Sequence, residues 1–311
     1  MTKVFIDGRT GTTGLRIQDR LQKRTDLTLL SIEESKRKDP EARKQRMNEA
    51  DIVFLCLLDA AAQEAVQLVE NPDTCIIDTS TVHRVAPGWE YGFPELGNAQ
   101  AIAGAKRIAN PGCHATGFIS IVYPLISMGL LSADAELSCF SLTGYSGGGE
   151  KMIAAYESGG KADSFYSPGL YGLSQKHKHL PEMETICGLS SEPVFCPIVD
   201  DYYEGMATTL PLHMDQIKGA DTLGDVRQAL ADFYAGQPLI HVASPAECGA
   251  MSKIYGSTKA GKDSLDLIVE GGDEAFTITA LFDNLGKGAS GAAIENMNLV
   301  LGVEPTTGLV L

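Results

Sequence analysis

The opening stretch KVFIDGRTGTTGLRIQDRL, followed by LTLLSI, leaves the chain few ways to fold. KVFID is a short apolar strand. GRTGTTG places glycines at Gly8, Gly11 and Gly14. LRIQDRLQKR then spaces Leu15, Ile17 and Leu21 as a helix does. LTLLSI is a second strand. Strand, glycine turn, helix and strand make a βαβ unit, whose two strands run parallel. In such a unit glycines let the backbone approach a pyrophosphate, and the helix N-terminus offers unbonded N–H groups and a positive dipole end. The spacing here is GxxGxxG, a variant of the usual GxGxxG. The candidate dinucleotide-binding set is therefore Gly8, Arg9, Thr10, Gly11, Thr12 and Gly14. The competing account is a tight turn that needs glycine only for a positive φ.

The residues after LTLLSI bear on which dinucleotide. Glu33 lies about 20 residues past the glycines, where an acid would hold an NAD ribose hydroxyl. ESKRK follows at once. Ser35, Lys36, Arg37 and Lys38, or Arg9 inside the turn, would suit the 2′-phosphate of NADP. A basic run is also commonly a solvated loop. The balance favours NADP.

The sheet continues through DIVFLCLL, nearly all apolar as a strand buried on both faces should be. AAQEAVQLV reads as a helix, TCIIDTS as a strand, and RIAN as the last strand of the set. The alternation implies an α/β, Rossmann-like doubly wound parallel sheet. Ligands of such sheets collect at the carboxyl ends of strands, where Asp78, Ser80 and Cys113 sit.

After Cys113 the pattern changes. ATGFISIVYPLISMGLL reads as a helix broken at Pro124. ELSCFSLTGYSGGG, EPVFCPIV, MATTLPLHM, PLIHVA and SLDLIVEGG read as strands with loops between them. DTLGDVRQALADFYAG is an amphipathic helix, capped by Thr222 and with Leu223, Val226, Leu230 and Phe233 on one face. This half is expected to be an α+β domain on an antiparallel sheet.

Composition excludes several function classes. A net charge of −15 over 311 residues repels nucleic-acid backbones. No window of 18 apolar residues suggests a membrane span. The start lacks the basic-then-apolar layout of a secretory signal. Seven cysteines without a CxxC pair argue against structural zinc and for reduced thiols in a cytoplasm. Cys56 and Cys75 read as inert strand cores.

Two places carry chemistry. In NPGCHATG, Pro111 and Gly112 form a turn that presents Cys113 at a helix N-terminus, a location that favours the thiolate. In KHKHLPE, His177 and His179 share a face if the segment is extended, with Glu182 close behind. A metal site there would need a third ligand from elsewhere. An exposed polar loop is the plainer account. A general acid/base serving a distant cysteine suits the residues better. His83, His213 and His241 read as structural or surface residues.

These residues resemble the N-acetyl-gamma-glutamyl-phosphate reductase family, in its shorter form. NPGCHATG, HKHLPEM and NLGKGASGAA carry the resemblance, with GTTG, DTSTVHR, YGFPEL and GYSGGG in the expected order. HKHLPE favours this family over the related aspartate-semialdehyde dehydrogenases. The resemblance implies an NADP-dependent reduction of an acyl phosphate in arginine biosynthesis, through a thioester on Cys113, with His177 as acid/base. His179 and Glu182 would orient it or bind substrate, and Ser80 and Arg84 would bind phosphate or carboxylate. Gly288, Ala289 and Gly291 would belong with the cofactor. His83 and His114 depart from the longer form of the family. The implied organisation is an NADP-binding domain over 1–112, a catalytic and oligomerisation domain over 113–287, and a returning segment over 288–311. The substrate is then a small acyl phosphate, and the chain is expected to form a homo-oligomer, dimer or tetramer. The alternatives are a reductase of an aspartyl or aminoadipyl phosphate, or a non-catalytic dinucleotide sensor.

Overall fold

The computed structural model describes residues 1–311. The chain divides into two compact units, one of Met1–Pro111 with Ala289–Leu309, the other of Gly112–Gly288 with Val310–Leu311.

The first unit runs β1 (Thr2–Asp7), α1 (Thr12–Leu21), β2 (Leu27–Leu30), α2 (Pro40–Glu49), β3 (Ile52–Leu55), α3 (Asp59–Leu68), β4 (Cys75–Asp78), β5 (Glu90–Tyr91), α4 (Ala99–Gly104) and β6 (Arg107–Ala109). The strands form one sheet in the order β2-β1-β3-β4-β6-β5, all pairings parallel. β3 and β4 are buried at every residue, which is why their sequences are unbroken apolar runs. Each face has its own core. Val4, Phe54 and Ile77 point to one, Phe5, Val53 and Ile76 to the other, as the two-residue strand period requires.

The second unit runs α5 (Cys113–Ser127), β7 (Ser138–Gly144), α6 (Gly149–Glu157), β8 (Gly169–Leu170), α7 (Leu180–Cys187), β9 (Val194–Asp200), β10 (Met206–His213), α8 (Leu223–Phe233), β11 (Ile240–Val242), α9 (Pro245–Gly249), β12 (Leu265–Gly271) and β13 (Ala275–Phe282). The sheet order is β11-β12-β13-β10-β7-β9-β8. It is mixed rather than antiparallel: β7 pairs with β9, and β11 with β12, in parallel. The chain between β7 and β9 holds two helices, long enough for the crossover that a parallel pair needs. A final helix, α10 (Gly291–Leu301), belongs to the first unit, where Ala293, Ile294 and Met297 complete a core face.

α5 does not break at Pro124; it continues to Ser127. Proline removes the N–H that would bond the carbonyl four residues back. That carbonyl, on Ser120, instead accepts a 2.7 Å hydrogen bond from the Tyr234 hydroxyl, so the helix loses no buried partner. α5 packs on β10 and β13. Gly117 allows the approach, because a Cβ there would lie 2.5 Å from Thr208 Cβ. Thr222 caps α8 as expected, accepting from the Asp225 N–H. On β7 and β9, Phe140 and Val194 remain 45% and 57% exposed. No helix is long and apolar enough to cross a membrane.

Candidate active site

Cys113 is the first residue of α5, directly after the N-cap Gly112. The turn that the sequence suggested therefore puts the thiol at the helix N-terminus, where the dipole favours an anion. Burial pushes Cys56 up to about 12 and Cys75 up to about 11, and it also raises Cys139 and Cys187. Those thiols stay protonated at neutral pH. Gly288 lies against the cysteine, since a Cβ on it would come within 3.0 Å of Cys113 Cβ. Only a glycine leaves that approach open.

The histidine segment is a turn, not an extended strand. His179 has α-region dihedrals as the N-cap of α7, and its N–H donates to His177 Nδ1 at 3.2 Å. The two rings meet edge to face, with centroids 4.8 Å apart. Pro181 in the first turn of α7 favours a helix start here, so period-two reasoning does not apply. Glu182 is buried and its Oε1 accepts from the Gly112 N–H at 2.8 Å. That oxygen helps to hold the start of α5.

Sequence reasoning gave His114 no role, yet it sits at the centre of this cluster. Its ring lies 5.5 Å from that of His177, 5.7 Å from His179 and 5.2 Å from Phe195. Its Nδ1 is 2.7 Å from Ser141 Oγ, and its Nε2 is 2.7 Å from the Tyr171 hydroxyl. Burial, then the charges on His177 and Lys178, push its pKa down to about 3, so it is a neutral imidazole.

In the first unit the glycine turn has the shape a pyrophosphate needs. Gly8 has φ +85°, and a Cβ there would press on the Cys56 carbonyl carbon at 2.7 Å. A Cβ on Gly14 would meet the Gly8 oxygen at 2.5 Å, whereas the Cβ position of Gly11 meets nothing nearer than 3.6 Å. No side chain caps α1 at Gly11, so Thr12 begins a helix end suited to an anion. A cavity of about 500 Å³ adjoins this turn. Gly8, Arg9, Thr10, Ser31, Arg37, Lys38 and Arg43 line it; Ser35 and Lys36 do not. Glu34 bridges Arg9 at 2.9 Å and Arg37 at 3.1 Å, and Lys36 pairs with Glu33. Arg43 is bound to Asp7 at 2.7 Å. The cradle and its cationic rim fit a phosphate-bearing dinucleotide.

Ser80 and Arg84, near the end of β4, are both buried. The Ser80 hydroxyl donates to Asp78 Oδ2 at 2.6 Å, and His83 Nδ1 meets the same oxygen at 2.6 Å. His83 stacks on Trp89, which explains a histidine here on structural grounds. Arg84 donates to the backbone carbonyls of Asn110 and Thr79. Ala289 accepts from the Asn110 amide, and Gly291 opens α10.

The parallel sheet, its glycine turn and the helix-borne cysteine are those of the semialdehyde dehydrogenase class. A model described as semialdehyde dehydrogenase, NAD binding domain, matches residues 5–105, and one described as semialdehyde dehydrogenase, dimerisation domain, matches 113–284. Solved aspartate semialdehyde dehydrogenases share the fold. Enzyme II from Vibrio cholerae superposes with a TM-score of 0.72 at 17% identity, covering 97% of this chain and 99% of that one. The enzyme with NADP from Candida albicans gives 0.66 at 15%, covering 97% and 99%. At the sequence level the relatives are nearer. An N-acetyl-gamma-glutamyl-phosphate reductase from Brucella anthropi is 46% identical over 306 residues, 96% of this chain and 98% of the relative. One from Sinorhizobium medicae is 45% identical over 305 residues, again 96% and 98%. The chain belongs to the N-acetyl-gamma-glutamyl-phosphate reductase family. Its first unit carries a nicotinamide-dinucleotide-binding domain, and the dimerisation-domain match supports oligomer formation.

Proposed function

We propose that the chain reduces N-acetyl-L-glutamyl 5-phosphate to N-acetyl-L-glutamate 5-semialdehyde and phosphate in arginine biosynthesis, using NADPH, as a homo-oligomer in the cytoplasm. The observation that carries this reading is Cys113 at the start of α5, with the His177 segment tied to that same start through Glu182. The Cys113 thiolate attacks the acyl carbonyl, forming a C–S bond as the C–O bond to phosphate breaks. His177 takes the thiol proton and gives it up as the aldehyde forms. The reduced nicotinamide, when bound, supplies the hydride. The resulting hemithioacetal anion collapses to the aldehyde, and the departing sulfur takes back the proton held by His177.

The choice of NADP over NAD rests on Arg9, Arg37 and Lys38 around the cavity. A 2′-phosphate would compete with Glu34 for the two arginines, and their bidentate forks suit phosphate oxygens. Glu33 is engaged with Lys36. Of the substrate contacts, Ser80, Arg84, His179 and Glu182 all remain candidates, and Arg84 and Glu182 also hold backbone groups in place.

The test is the reverse reaction, followed by nicotinamide absorbance, with phosphate and NADP. N-acetylglutamate semialdehyde should react and aspartate semialdehyde should not. The opposite preference would replace this reading with that of an aspartyl-phosphate reductase. No turnover with any aldehyde, including the aminoadipyl one, would favour a dinucleotide sensor.

A further inference from the structure

The loop between β8 and α7 carries His177, and Tyr171 at its start and Glu182 in the first turn of α7 are bonded to the residues on either side of Cys113. Before His177, the Tyr171 hydroxyl meets His114 Nε2 at 2.7 Å. After it, Glu182 Oε1 accepts from the Gly112 N–H at 2.8 Å. Between these ties Gln175 adopts φ 53°, a left-handed conformation that costs a non-glycine residue about 1 kcal/mol. Its side-chain amide exchanges two hydrogen bonds with the Phe195 backbone, at 2.8 and 2.9 Å, which hold that strain in place. His114 is itself fixed from behind: Ser141 Oγ, which meets its Nδ1, is 2.8 Å from Thr208 Oγ1 on β10.

We propose that His114 and Tyr171 are positioning residues, whose shared hydrogen bond sets the register of His177 against the Cys113 thiol. This rests on the reading of Cys113 and His177 as nucleophile and acid/base. Neither positioning residue needs to gain or lose a proton. The hydroxyls of Ser141 and Tyr171 each donate or accept, so either neutral tautomer of His114 is satisfied. The ring then packs edge-on against His177 and limits where that imidazole sits. The titratable groups facing His177 are His114 of α5 and Tyr171 and His179 of its own loop, with Lys176 and Lys178 next to it in the chain. Phe195 of β9 supplies the uncharged wall, 5.1 Å from the His177 ring.

The test needs neither substrate nor cofactor. The rate at which iodoacetamide alkylates Cys113 is measured against pH in the intact protein, alongside thermal melting. An imidazolium held near a thiolate lowers the midpoint of that profile. Tyr171→Phe removes one oxygen and should raise the midpoint by at least about 0.5 unit, a loss of roughly threefold in rate on the acid side. His114→Phe should do the same. The double variant should shift no further than His114→Phe alone, which already removes the bond to Tyr171. An unchanged midpoint in Tyr171→Phe with a lowered melting temperature would overturn the proposal and leave the pair structural. Additive shifts in the double variant would also overturn it. His177→Asn separates the two levels. If it raises the midpoint while Tyr171→Phe does not, only the positioning role fails. If it leaves the midpoint at the wild-type value, the Cys113–His177 pairing fails and the positioning role with it.

Discussion

Gly117→Ala sets two opposed effects against each other at one residue. Glycine inside a helix costs about 1 kcal/mol relative to alanine, so propensity alone would make the variant more stable. Gly117 faces β10, however, and a Cβ would stand 2.5 Å from Thr208 Cβ and 3.0 Å from Phe282 Cε1. Thr208 is fully buried on a central strand and cannot swing away. Relief requires α5 to move off the sheet, and overpacking of this kind costs about 1–3 kcal/mol. The net expectation is a loss of about 0–2 kcal/mol, or up to a few degrees in Tm. The displacement also disturbs Thr208, Ser141 and His114, which are bonded in series, so the alkylation profile of Cys113 should change too. Gly104→Ala is the control: it ends α4 with no atom within 4 Å of its Cβ position, and should be neutral or stabilising by up to about 1 kcal/mol. Denaturant unfolding and thiol alkylation are the assays. A Gly117→Ala protein as stable as the wild type, with an unchanged alkylation profile, would refute the packing argument.

Three other outcomes follow from the same geometry. Cys113→Ser should retain the fold and lose at least about 10³ in turnover, whereas Cys75→Ser should lower the unfolding midpoint and spare turnover; steady-state rates and melting curves distinguish them. Replacing Arg9 and Arg37 together with alanine should raise the KM for NADP about tenfold more than that for NAD, as expected for a lost charge-assisted phosphate contact, while Lys36→Ala leaves both unchanged; paired titrations with the two cofactors check this. His114 has a folded pKa near 3 and an unfolded one near 6.5, so the unfolded chain binds the extra proton between those values. Its contribution to stability is present above about pH 6.5 and is lost as pH falls toward 3, at no more than about 1.4 kcal/mol per unit. His114→Phe should therefore flatten the stability–pH curve over that window, and an equal slope would contradict it.

What was legible followed from local physics. The parallel sheet announced itself because β3 and β4, buried on both faces, must be apolar throughout. Cys113 was legible because a Pro-Gly turn followed by a helical pattern fixes where the next side chain stands. The contacts that hide from a sequence are those between distant positions. Tyr171 and His114 are 57 residues apart, and Tyr234 satisfies Ser120 from 114 residues away, which is why the proline break did not occur. The parallel pairing of β7 with β9 is similar, since alternation reveals a strand's faces but not its neighbour. Ser35 and Lys36 illustrate another gap. A basic run signals charge, but the short helical turn at Glu34–Lys36 decides that Arg37 and Lys38 line the cavity. The extended reading of HKH failed because α7 begins at Leu180, directly after His179, with Pro181 in its first turn.

The central claim is an acyl group carried on Cys113. With N-acetylglutamate semialdehyde and NADP but no phosphate, the thioester has no acceptor. One equivalent of reduced nicotinamide per chain should then appear in a burst, and mass spectrometry of the quenched protein should find the N-acetylglutamyl group on Cys113. A burst without an adduct, or an adduct on a different residue, would contradict the account.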